Sequence, residues 1–140
     1  MSLNKILEDL KKLKNVYYET TEVTLGKELK ITVQLLTSEE ETDVHAKAMS
    51  YDQGLAYLYA VKRETLSRSI VAINGNKIPE TIDDLNEKGE PEKLERYAWI
   101  RKNIIGGWNQ VLIDYAWEGY AKLLTNLEKT ISNDIKEEKK

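Results

Sequence analysis

The chain has 140 residues and no cysteine, a length that suits one domain with a substantial core and a composition that removes disulfides, thiolate metal sites and cysteine nucleophiles. Its 24 acids against 21 Lys and Arg leave a formal charge of −3 with both signs interspersed. No basic field exists to gather nucleic-acid phosphates, and no stretch approaches the apolar length of a membrane span.

Leu3, Ile6, Leu7, Leu10 and Leu13 follow three-and-four spacing, which predicts an amphipathic helix over residues 1–14 with Ser2 as its N-cap. Glu8, Asp9, Lys11 and Lys12 interrupt the apolar residues, so the segment does not read as a secretory leader, and a reducing cytoplasm is the expected setting. A helix this short is marginal alone, and its stripe needs a surface from this chain or from another subunit.

Leu29, Ile31, Val33 and Leu35 then alternate with Lys30, Thr32 and Gln34, the pattern of a strand buried on one face. Val23 and Leu25 alternate in the same way before the Gly26-Lys27 break, which predicts an antiparallel hairpin over residues 16–36. Thr37-Ser38-Glu39-Glu40 has the form of a capping box, and Val44, Ala48, Tyr51, Leu55 and Leu58 carry one helix from there to about Ser67. Gly54 is a weak point within it, costing about 1 kcal/mol relative to Ala. Asn74-Gly75 suits the two left-handed positions of a type I′ turn, so residues 70–73 pair with a return around Lys77 and Ile78. Residues 16–78 thus read as a hairpin-helix-hairpin core.

Residues 79–91 hold both prolines, several acids and Gly89, and read as an exposed connector with a helical turn at residues 82–85. Pro91, followed by Glu92 and Glu95, suits the first turn of a helix. Residues 91–131 form a C-terminal helical region whose broad face carries Leu94, Tyr97, Ile104, Ile105, Trp108, Leu112, Tyr115, Gly119, Leu123, Leu127 and Ile131, with Gly106-Gly107 kinking or dividing it. Residues 132–140 have little to bury and read as a frayed tail. The expected fold is helix-rich α+β in a single domain, a small antiparallel sheet of two hairpins packed with several helices.

Chemistry is sparse. His45 is the one histidine, and with Glu41 a turn before it supplies two ligands, too few for a defined metal site. Glu39, Glu40, Glu41 and Asp43 cluster where the helix dipole favours acids and lack the spacing of a calcium loop. Ser67 and Ser69 have no glycine elbow, and the glycines match neither a phosphate loop nor a dinucleotide fingerprint. No catalytic residue, metal or cofactor is expected. The aromatic residues are more informative: there is no Phe, yet Tyr97, Trp99, Trp108, Tyr115, Trp117 and Tyr120 crowd one region and do not share one stripe. That needs either burial between two layers or a protein partner, which makes these six the candidate protein-binding residues.

A strand ending in Leu36-Thr37, an acidic capped helix, and the hairpin Ile70-Val71-Ala72-Ile73-Asn74-Gly75 together resemble the small tail assembly chaperones and baseplate hub assembly proteins of bacteriophages, over roughly residues 28–79. The resemblance implies a non-enzymatic protein that binds long helical tail proteins, such as the tape measure, or tube and baseplate hub components, in the host cytoplasm. It also implies that the aromatic region would meet a client or another copy of the chain. A minor structural subunit retained in the virion is the alternative it leaves open, and a bacterial adaptor domain or small enzyme is the reading if the likeness is accidental.

Overall fold

A computed structural model describes residues 2–17, 20–51 and 54–138. The first hairpin forms where the alternation places it, from β1 (Thr20–Thr24) and β2 (Lys30–Gln34), with Val23 opposite Ile31. Next to β2 runs β3 (Ile70–Ile73), which pairs Ile31 with Ile73 and Val33 with Ile70 across a bulge between Thr32 and Val33. A two-residue strand β4 (Asn76–Lys77) completes an antiparallel sheet of order β1-β2-β3-β4. Asn74 and Gly75 both take positive φ, 50° and 79°, as a type I′ turn demands. Asn74 does more than turn the chain: its Oδ1 accepts from the Lys30 amide at 2.8 Å and its Nδ2 donates to the Glu28 carbonyl at 3.0 Å, tying the second hairpin to the first.

Ahead of the sheet stands α1 (Leu3–Tyr17), whose Lys5 amide donates to the Ser2 hydroxyl at 3.2 Å. The side chain of Leu13, the last residue of the expected stripe, lies outside the described residues.

The expected continuous helix from Thr37 to Ser67 is instead two, α2 (Ser38–Ala48) and α3 (Leu55–Ser69). Thr37 and Glu40 make the reciprocal capping box that starts α2. Gly54 marks where the second helix starts. Its φ of 93° and ψ of −142° are closed to residues with a side chain, and it caps α3 rather than sitting within a helix. The break lets α2 fold back on α3, burying Val44 and Ala48. α3 runs directly into β3, and every residue from Glu64 to Ile70 is buried.

Residues 79–91 are likewise not a plain connector. β5 (Thr81–Leu85) and β6 (Pro91–Glu95) form a separate two-stranded sheet, with Ile82 opposite Leu94 and no helical turn at 82–85. Asn86 shapes the turn, its Oδ1 accepting from the amides of Lys88 and Glu90, while Gly89 supplies a φ of 77°. Pro91 opens an edge strand, where its missing amide is harmless, and not a helix. The helix begins later, as α4 (Arg96–Asn103). Gly106-Gly107 do divide the region: a 3₁₀ turn, Ile105–Gly107, separates α4 from α5 (Gln110–Glu138). Asn109 Oδ1 accepts from the Leu112 amide at the start of α5. The expected frayed tail is helical through Glu138, because residues 132–138 contain no Gly or Pro and several good helix formers; Lys139 and Lys140 lie outside the described residues.

The core forms where the inner face of the sheet (Ile31, Val33, Ile70) meets Ile100, Ile105 and one face of α5 (Ile113, Ala116, Tyr120, Leu123). The fold is helix-rich α+β. No helix among the described residues is long and apolar enough to cross a membrane.

Candidate protein-binding surface

The six aromatic residues separate by environment. Tyr120 is buried in the core, its hydroxyl accepting from the Leu36 amide at 3.4 Å, and burial pushes its phenol pKa up, helped by the charges of Glu41 and Glu40. Trp117 tilts against it with ring centres 5.6 Å apart. Trp99, Trp108 and Trp117 are half-buried against the core cluster. Tyr97 is also half-buried and lies under the Arg68 guanidinium, 4.4 Å from its ring centre. Tyr115 alone of the six stands out from the surface, 60% exposed. Val111, one turn before it, is equally exposed, and the sequence pattern did not single it out.

Tyr115 borders a shallow cleft of about 390 Å³ between α5 and β1, with Thr21, Val23, Gly119 and Lys122 among its walls. β1 is the outer strand of its sheet, and among the described residues no strand pairs with its far side. This outer strand and the exposed ring of Tyr115 therefore border one cleft, with Val111 a turn further along α5. Such an edge can take an added strand or the polar side of a helix while Tyr115 and Val111 supply apolar area.

No protein-family model, curated protein or solved structure matches this chain. Other surfaces bear on chemistry. His45 Nδ1 lies 2.8 Å from the Tyr57 hydroxyl, a link between α2 and α3 that does not involve Glu41. Ser67 and Ser69 donate to the backbone carbonyls of Arg63 and Gln34, each at 2.8 Å, and so brace the junction between α3 and β3. Among the described residues no three His, Asp or Glu side chains gather as a metal-binding group.

Two clefts, of about 490 and 680 Å³, flank a charged junction that sequence periodicity did not reveal. At its centre Glu64 and Arg68 are 5% and 7% exposed. Arg68 Nε donates to Asp43 Oδ2 at 3.2 Å and Nη1 to the Glu64 carbonyl at 2.9 Å. Glu64 Oε2 lies 2.9 Å from Arg101 Nε, an ion contact without hydrogen-bond alignment, and is the one buried side-chain oxygen among the described residues with no hydrogen bond. The i, i+4 spacing of Glu64 and Arg68 was the available signal. Their burial follows from packing of α2, α3 and α4, which spacing does not convey.

Proposed function

We propose that this chain is a phage tail or baseplate assembly protein acting through protein–protein contacts, a tail assembly chaperone that holds a long helical tail protein such as the tape measure in the host cytoplasm until the tail closes around it. The reading rests on the resemblance over residues 28–79. The observation that carries it is exposed Tyr115 on the cleft beside the outer strand β1, with exposed Val111 one turn before it on α5. On this reading the protein is not an enzyme; its work is to cover a client's apolar face with its own.

Co-expression with the products of neighbouring tail genes tests it. The full chain should co-purify with a long helical tail protein, and replacing Val111 and Tyr115 with Asp should abolish that capture while far-ultraviolet circular dichroism is unchanged. Failure to capture any neighbouring product sinks the chaperone reading. Recovery of the chain at fixed stoichiometry in purified particles would replace it with a retained structural subunit.

A further inference from the structure

On α1, Leu3, Leu7 and Leu10 are 78%, 56% and 54% exposed, with Ile6 beside them. α1 lies against α5 within the chain, yet that contact leaves this stripe uncovered. A 15-residue helix with four uncovered large apolar side chains is poorly stabilised by itself. A second stripe runs along the end of α5. Leu124 and Leu127 rest on the core, and the same line continues to Ile131 and Ile135, of which Ile135 is 49% exposed.

The charges around the two stripes are opposite. α1 carries Lys5, Lys11 and Lys12 against Glu8 and Asp9, whereas residues 128–137 carry Glu128, Asp134 and Glu137 against Lys129 and Lys136. A two-fold axis beside this end of the molecule would lay α1 of one copy along the end of α5 of the other, twice. Both apolar stripes would be covered and each basic helix set against an acidic one. We propose that the chain self-associates in this way, and that the occupant of the α1 stripe is a second copy of the same protein, packed as an antiparallel four-helix arrangement. The proposal rests on these two helices and not on the client reading, which uses the opposite half of α5.

Sedimentation velocity on the full chain without any client tests it. The wild type should run as a dimer that dissociates on dilution, and Leu7→Glu or Ile131→Glu should each give a monomer with unchanged circular dichroism. Reversing charge with K11E and K12E together should weaken the dimer, and adding E128K and E137K should restore it. A wild type that stays monomeric at every concentration overturns the proposal even if tail-protein capture persists. So does a Leu7→Glu chain that keeps its dimer, or one that loses client capture while the wild type is already monomeric. A dimer that captures no tail protein leaves this inference standing and removes the chaperone reading.

Discussion

Gly119 shows how little of a residue's role its own position in a pattern conveys. It falls on the apolar face of α5, where the periodicity put it, but the reason for a glycine there is Val23 on β1. An added Cβ would lie 2.9 Å from Val23 Cγ1 and closer still to Cγ2. Ala normally favours a helix interior by about 1 kcal/mol over Gly, and here that gain competes with overpacking worth about 1–3 kcal/mol. Gly119→Ala should therefore lower stability in urea denaturation. Combining it with Val23→Ala should cost less than the two single changes added together, and strict additivity would show that the helix and strand do not press on each other here. Asn74 and Gly75 were legible because their constraint is local, two positive φ angles in sequence. Gly54 carries the same kind of constraint, but a glycine inside a continuing apolar pattern reads as a weak point rather than as the cap of a new helix.

At the scale of elements, the hairpin of β5 and β6 escaped the pattern because its strands have almost no apolar face. Of their apolar side chains only Ile82 and Leu94 are partly sheltered, and Leu85 is exposed. Polar contacts hold it instead. Asp84 accepts from the Leu85 amide at 2.8 Å, from Lys102 at 3.2 Å and from Asn103 at 3.4 Å, while Lys102 also donates to the Leu85 carbonyl. The Leu85 amide first, then Lys102 and Asn103, hold the Asp84 carboxyl below its usual range. A depressed carboxylate contributes stability above the unfolded value, about 3.9, and loses it as pH falls through the lower folded value. The hairpin's anchor to α4 should thus weaken only in strong acid. Asp84→Asn should bring the same loosening to neutral pH, read as faster amide exchange across residues 81–95 with the β1-β2-β3 amides unchanged. Equal protection in both proteins would mean that strand pairing alone holds the hairpin.

For the whole molecule, the helix-rich α+β class was legible because strand and helix periods are written plainly in β2, α2 and α5, whereas the packing of helices against one another was not. Arg68 joins three of them: α3 on which it sits, α2 through Asp43, and α4 through the face of Tyr97. Spacing shows that Glu64 and Arg68 share a helix face but not that the face is interior. A lysine at this position would keep the charge and lose the planar fork that reaches Asp43 and the Glu64 carbonyl from its place over the Tyr97 ring. Arg68→Lys should cost about 1.5–3 kcal/mol, the range for hydrogen bonds to charged groups. Arg101→Lys meets the same Glu64 carboxylate from a half-exposed position, and should change stability by less than about 0.5 kcal/mol. Urea denaturation of the two variants separates the alternatives. Equal, small losses would show that α2, α3 and α4 are held by apolar contact alone; a large loss confined to Arg68 would mark its guanidinium as the joint that sets their relative positions, and with them the support beneath Tyr97.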